Sequence, residues 1–222
     1  FDNHFLIGIN KSLYVRGILR NKERTKQKMV DAVGEVLKEK GYAGLTINNI
    51  VNKAKVDRKL VGLYFGDVNN LIEEYLNNRD YWMSKVAPKI QSIIEKAEGF
   101  GQNEITSILH TLYDEVSKST DLQRILSWEI SEHHDKLREL ADNRETLGNE
   151  LFKATDKDFK GTNINLRAIL ALQIAGIYYL ILHASANGST FCGVDINTSE
   201  GQKSIKDTLV TVVDLVYRDV QK

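Results

Sequence analysis

Apolar side chains recur at three- and four-residue spacings along most of this chain, which is the pattern of helices that bury one face. The first clear stretch begins at Glu23, ends before the C-cap glycine Gly41, and has apolar residues at Met29, Val30, Val33, Val36 and Leu37. The pattern therefore predicts a helix over 23–40. It also leaves residues 1–22, which are mixed apolar and basic, as an N-terminal arm that has room for a short helix.

Two short helical patterns follow the first. Thr46 is a suitable N-cap for a helix of about two turns over 46–54, and Asp57 can cap a second over 58–65, which Gly66 ends. Helices this short are not stable alone in water, so we expect both to pack on the 23–40 helix. The sequence thus predicts a compact three-helix unit over 23–70.

Longer helices are predicted for the rest of the chain. One runs from about 69 to 97 with a kink at Pro88, and others cover 103–118, 121–135, 136–153, 164–185 and 201–220. Pro88 is the single proline among 222 residues, which favours a mainly helical chain because helix interiors exclude proline. We therefore predict an all-α protein with a second, larger helical domain over 71–222.

The stretch 168–186 is nearly uncharged and long enough to cross a bilayer. Gln173 and His183 lie inside it, however, and aromatic residues do not flank both of its ends. These features favour a buried helix that is apolar on all sides over a membrane span. No membrane partner is expected.

Charge is divided unevenly along the chain although the net charge is zero. Residues 1–70 carry 13 Lys and Arg against 7 Asp and Glu, and the remainder carries 17 against 23. A basic first third suggests contact with a polyanion. The single cysteine, Cys192, excludes an internal disulfide and suits the reducing cytoplasm.

Several short motifs lie at fixed spacings between Arg24 and Leu71: Gly41-Tyr42, Thr46-Ile47-Asn48-Asn49-Ile50-Val51, Ala54-Lys55-Val56-Asp57, Gly62-Leu63-Tyr64-Phe65 and Leu71-Ile72. This segment resembles the N-terminal domain of the tetracycline-repressor (TetR) family of bacterial transcription regulators. The resemblance implies an N-terminal three-helix helix-turn-helix domain followed by a larger helical domain for ligand binding and dimerisation. It further implies a ligand-responsive regulator, a repressor by the commoner family mode. It implies neither catalysis nor a cofactor.

The second helix of a helix-turn-helix unit enters the major groove with its N-terminal residues against the base edges. Here that helix begins with Arg58 and Lys59, and Arg can pair with guanine through two hydrogen bonds. Two positions where the family usually contacts phosphate are Gly62 and Val68 here. The candidate DNA-contacting residues are Thr46, Arg58, Lys59, Gly62, Tyr64, Arg24 and Lys26.

The resemblance also implies an effector pocket in 71–222 and a homodimer on an inverted-repeat operator. Candidate pocket residues are Trp82, Tyr113, Trp128, His133 and Tyr178, with Tyr179 beside them, although aromatic residues among apolar ones more often simply pack. The most apolar helix needs burial on nearly all sides, so we expect dimerisation through helices 164–185 and 204–220. The candidate interface residues are Ile174, Ile177, Ile181, Leu209 and Val213.

Two other function classes stay open: a helical adaptor that does not bind DNA, and a small helical enzyme. Neither a phosphate-binding glycine loop nor a nucleophile elbow occurs in the sequence. His133 and His134 stand beside Glu132 and Asp135, but adjacent residues of a helix point to different faces and cannot share one metal ion. No metal site is expected.

Overall fold

The computed structural model describes the backbone of residues 3–80, 88, 92 and 101–220, and the side chains of residues 20–80, 88, 92 and 101–219. Over these residues it has helices α1 (Asn3–Lys40), α2 (Ile47–Ala54), α3 (Lys59–Phe65), α4 (Val68–Asn78), α5 (Gln102–Lys118), α6 (Thr120–Ser131), α7 (Asp135–Thr155), α8 (Leu166–Asn187) and α9 (Ser199–Val220). The described residues contain no strand, only an isolated bridge between Phe191 and Val194. The predicted all-α class is confirmed. The chain forms two compact units, Phe1–Arg79 and Asp80–Lys222.

The first helix is much longer than predicted. α1 begins at Asn3, whereas the apolar pattern placed its start at Glu23 with a separate arm before it. The arm holds no proline, and its glycines, Gly8 and Gly17, each cost a helix only about 1 kcal/mol relative to alanine. Apolar residues also recur at helical spacings before residue 23, at Leu6, Ile9 and Leu13, so the helix continues through the predicted arm.

The turns around α2 follow from local chemistry. Gly41 has a φ of 67°, which an L residue with a side chain rarely adopts, and it ends α1. The Thr46 hydroxyl accepts a hydrogen bond from the Asn49 N–H at 3.3 Å, as its predicted N-cap role requires. The Asp57 carboxylate accepts from the Lys59 N–H at 2.7 Å and so satisfies an amide at the start of α3.

α4 closes the first unit. Its residues Leu71, Ile72, Tyr75 and Leu76 are buried, and it packs against α1 and α3. The first unit therefore extends to Arg79, beyond the predicted boundary at residue 70. The predicted continuation to residue 97 lies, except for Pro88 and Ser92, outside the described residues.

α5 is the central helix of the second unit. It packs against α6, α8 and α9, and its buried residues are Ile105, Leu109, Leu112, Tyr113 and Val116. The helices predicted over 121–135 and 136–153 correspond to α6 and α7, which are separated at residues 132–134. α7 continues to Thr155, two residues beyond its predicted end.

α8 is only partly covered. One side contributes Leu166, Leu170, Ile177, Ile181 and Ala184 to the core of the second unit. By length and composition α8 could also span a membrane, and only 28% of its most apolar stretch is buried within the chain. On its uncovered side Leu172 is 75% exposed. An unpartnered apolar surface therefore runs along this helix.

Candidate nucleic-acid interface and ligand cavity

α3 has one buried side and one exposed side. Val61 and Phe65 point into the first unit, so Lys59, Gly62 and Leu63 fall on the opposite, exposed side. Arg58, also exposed, immediately precedes the helix. We call Arg58, Lys59, Gly62 and Leu63 the α3 surface. It brings together three of the predicted DNA-contacting residues.

Arg58 is held at the junction of α2 and α3. Its Nη1 donates to the Asn48 Oδ1 at 3.3 Å, a long hydrogen bond that leaves the other guanidinium donors available. Lys59 follows at the first turn of α3 and is exposed. Two cations therefore stand side by side at the N-terminal end of the helix, where base edges are contacted in helix-turn-helix complexes.

The remaining predicted contacts have different surroundings. The Lys26 Nζ lies 3.8 Å from the Glu74 Oε2 and 5.2 Å from the centre of the Phe65 ring. Lys26 therefore makes an ion pair and a cation–π contact inside the first unit. The Tyr64 ring packs under Lys22 at 5.6 Å and is half-buried. Thr46 and Arg24 are exposed. Lys26 and Tyr64 thus have structural contacts that the sequence did not indicate.

Leu63 was missed by the sequence reasoning. It is 71% exposed on the α3 surface, an unusual position for a large apolar side chain. The spacing in the sequence could have predicted its exposure. Leu63 lies two residues from each of the buried residues Val61 and Phe65, and two residues along a helix are about half a turn, so Leu63 faces the opposite side.

The second unit contains a cavity of about 250 Å³ between α5, α6, α7 and α8. Ten of its described lining residues are apolar, among them Leu109, Leu147 and Phe152. Charged groups enter the lining from α6 and α7: Glu129, Arg144 and Glu145. The Arg144 guanidinium donates to the Glu129 carboxylate, and the two side chains are largely withdrawn from solvent.

Among the predicted pocket residues that the structure describes, Tyr178 alone lines this cavity. Trp128 and Tyr113 are buried in the packing of the second unit, where Trp128 meets His134 edge to face at 4.7 Å. His133 is exposed and pairs with Asp135 at 3.0 Å. Trp82 lies outside the described residues. Trp128 and Tyr113 therefore pack in the core, as aromatic residues among apolar ones usually do.

The predicted dimer residues also lie elsewhere than expected. Ile177, Ile181, Leu209 and Val213 are buried in the chain's own core, and Ile174 lines the cavity. Because α8 is apolar on every side, its sequence does not reveal which side faces inward. The exposed apolar residues of α8 and α9 include Leu172 and Leu215, which line one open groove.

The described residues include no group of three or more His, Cys, Asp or Glu side chains placed to hold a metal ion. His133 and His134 differ in environment: His133 is exposed and His134 packs on Trp128. Cys192 is exposed in the loop between α8 and α9.

No protein-family model and no curated protein matches this chain. Solved structures do. A TetR-family regulator from Marinobacter aquaeolei VT8 superposes with a TM-score of 0.60 at 14% identity, over 87% of this chain and 97% of that one. HlyIIR, a haemolysin II transcriptional regulator, gives 0.60 at 15% identity over 86% and 98%. FadR from Bacillus subtilis, in complex with stearoyl-CoA, gives 0.60 at 14% identity over 83% and 97%.

The fold is that of the TetR-family transcription regulators. The resemblance of residues 24–71 to this family is therefore matched by a structural likeness over most of the chain. The TetR fold includes the second unit, for which the sequence offered only helix content and length. At 14–15% identity the match establishes the fold, and the chemistry of the site rests on this chain's own residues.

Proposed function

We propose that this protein is a ligand-responsive transcriptional repressor that binds an inverted-repeat DNA operator as a homodimer in the cytoplasm. The observation that carries the proposal is the α3 surface. Its residues Arg58 and Lys59 are exposed and adjacent at the start of the second short helix of a TetR-fold first unit. Catalysis forms no part of the proposal.

On this proposal α3 enters the major groove. Arg58 is suited to guanine O6 and N7, Lys59 to a base edge or phosphate, and Leu63 to a thymine methyl group. Thr46 and the N-terminus of α2 are suited to a backbone phosphate. Exposed Arg24 on α1 adds a cation for the same backbone. The set combines contacts that position the protein with contacts that discriminate bases.

A dimer is supported by the uncovered apolar surface of the second unit. Leu172 and Leu215 line one groove although they come from different helices, so the exposed apolar area spans α8 and α9. A second copy would cover this area around a two-fold axis. It would also supply a second α3, and the two would read half-sites about 34–36 Å apart or a multiple of that. We assign the apolar surface of α8 to this interface and not to a membrane.

Ligand control is supported by the cavity. Apolar pockets with a few polar groups are the usual form of small-molecule sites, and the similarly folded FadR was solved with stearoyl-CoA. On our proposal an effector in this cavity shifts the population of DNA-binding states and lowers operator affinity.

The test is selection of operator DNA from a random double-stranded library by the purified chain. We expect an enriched inverted repeat whose affinity falls steeply with salt. Arg58→Ala and Lys59→Ala should each cost about 1–3 kcal/mol in binding if the side chain contacts a base. Lys160→Ala, an exposed cation of the second unit, is the matched control and should leave affinity unchanged.

Two outcomes would contradict the proposal. If no sequence is enriched and binding to DNA is undetectable at low salt, the helical adaptor becomes the better description. If an operator is found but both α3 variants bind it as the unmodified chain does, α3 is not the recognition helix.

A further inference from the structure

We infer that Asn48 is a positioning residue for DNA recognition: its side-chain amide orients the Arg58 guanidinium toward a guanine, so the preference for guanine at that base pair depends on Asn48. The inference rests on the proposed function and adds a specificity-determining residue of α2 to the α3 surface. Three observations carry it: the fixed place of Asn48 on α2, the hydrogen bond between the two side chains, and a guanidinium that no carboxylate of the described residues neutralises.

Asn48 stands at a fixed place in the first turn of α2. The Thr46 hydroxyl caps this helix, and the buried residues Ile50 and Val51 set its rotation against the core of the first unit. Asn48 lies two residues before Ile50, about half a turn away, and its side chain is exposed. Because the backbone is held on both sides, the amide can serve as a fixed point for a more flexible side chain.

Arg58 reaches back across the turn between α2 and α3 to this amide. Its Nη1 donates to the Asn48 Oδ1 at 3.3 Å, and the two residues are 10 positions apart in the sequence. A guanidinium has five N–H donors and no acceptor, so the amide oxygen must face it and the amide nitrogen must face away. The contact engages Nη1 alone, so Nη2 and Nε stay available for the two acceptors of a guanine edge.

The partner of Arg58 is neutral. Among the residues that the structure describes, no carboxylate pairs with the guanidinium, and that of the adjacent Asp57 accepts from the Lys59 N–H at 2.7 Å instead. A carboxylate in place of Asn48 would hold Arg58 more strongly but would cancel the charge that attracts DNA. A neutral amide restricts the rotamers of the long side chain and leaves its charge intact, which lowers the ordering cost of binding.

The test repeats the selection from a random double-stranded DNA library with four versions of the full chain: the unmodified protein, Asn48→Ala, Arg58→Ala and the double variant. The base pair at which Arg58→Ala loses its preference for guanine is the one that Arg58 reads. We expect Arg58→Ala to lower this preference about ten- to a hundredfold and Asn48→Ala to lower it about fivefold. In the double variant the loss of Asn48 should add nothing, because the side chain that it orients is gone.

Two further variants separate orientation from other effects. Asn48→Asp keeps the acceptor, so the guanine preference should be retained, while every DNA sequence should bind more weakly because the new charge neutralises Arg58 and repels phosphate. Asn52→Ala is the matched control, since Asn52 is exposed one turn further along α2, and it should leave the guanine preference unchanged. Asn48 is exposed and alanine favours a helix, so thermal unfolding should show Asn48→Ala to be as stable as the unmodified chain.

An unchanged guanine preference in Asn48→Ala would overturn the inference. Losses that multiply in the double variant would overturn it too, because Asn48 would then contact DNA independently of Arg58. In both cases the unmodified chain still selects its operator through Arg58, and the proposed regulator stands. If the unmodified chain selects no DNA sequence, the proposed function and the inference fall together.

Discussion

The rings of Tyr217 and Phe159 pack edge to face in the second unit, with their centroids 5.2 Å apart. The Tyr217 hydroxyl is buried and finds no hydrogen-bond partner among the described residues. Burial, together with the negative charges of Asp158 and Glu104, raises the pKa of Tyr217 to about 12. The folded chain therefore holds this proton more firmly than an exposed tyrosine does.

Removing that hydroxyl should stabilise the second unit. We expect Tyr217→Phe to raise the free energy of unfolding by about 1 kcal/mol, because a buried polar group without a partner is lost while the ring packing stays. Denaturant unfolding at neutral pH measures this. Tyr179→Phe is a matched control, since Tyr179 is exposed and its hydroxyl loses little water on folding. A clear loss of stability in Tyr217→Phe would show that the hydroxyl has a stabilising partner.

The same residue predicts a pH dependence at alkaline pH. Below the ordinary tyrosine pKa of 10.0 both states are protonated, so its contribution is constant. Between pH 10 and about 12 the unfolded chain releases the proton and the folded chain keeps it, so stability falls as pH rises. Stability curves of the unmodified chain and Tyr217→Phe should therefore run parallel below pH 10, about 1 kcal/mol apart, and diverge between pH 10 and about 12. A constant separation across that interval would refute the assignment.

Two glycines in helices of the first unit should respond oppositely to alanine. At Gly62 an added Cβ meets nothing within 4 Å, so Gly62→Ala should stabilise the unit by about 0.5–1 kcal/mol through reduced chain entropy. At Gly34 the Cβ would stand 2.8 Å from Cε2 of buried Tyr75, so Gly34→Ala should destabilise by about 1–3 kcal/mol. Thermal unfolding of both variants tests the packing of α1 on α4. Equal shifts for both would contradict it.

A charge at Leu172 should separate the proposed dimer while leaving the fold intact. Leu172→Glu changes a side chain that is 75% exposed in the single chain, and we expect a monomer by sedimentation and weak operator binding. Ile130→Glu is the matched control, because Ile130 is 76% exposed and lies outside the groove that Leu172 and Leu215 line. A charge at buried Leu209 should instead unfold the second unit. A dimeric Leu172→Glu variant would place the interface elsewhere.

Local signals predicted the first unit well. Thr46 and Gly41 act through their own backbone and side-chain chemistry, and that chemistry is visible in a short stretch of sequence. Three of the four residues of the α3 surface followed from the same signals, because two short helices have little choice of packing partner, and Leu63 did not. The predicted start of α1 was wrong, because apolar residues such as Leu6, Ile9 and Leu13 already recur at helical spacings before Glu23 and no proline interrupts them.

For the second unit the sequence predicted the helical class but not which side of each helix is buried. Which side of α8 faces inward depends on α5, α6 and α9, and a helix without a polar side gives no clue to it. Ile177 and Leu172 are equally apolar, yet one is buried and the other is exposed. Arg144 and Glu129 are 15 residues apart, and only the packing of α6 against α7 brings them together.

Dimerisation through the uncovered side of α8 depends on concentration, so the activity of the proposed regulator depends on how much of the protein a cell contains. Where monomers predominate, halving the number of chains lowers the number of dimers about fourfold by mass action. Operator occupancy then responds more steeply to expression level than a monomeric repressor's would. A cell that dilutes this protein by growth would cross from repression to release within a narrow range of copy number, even without an effector.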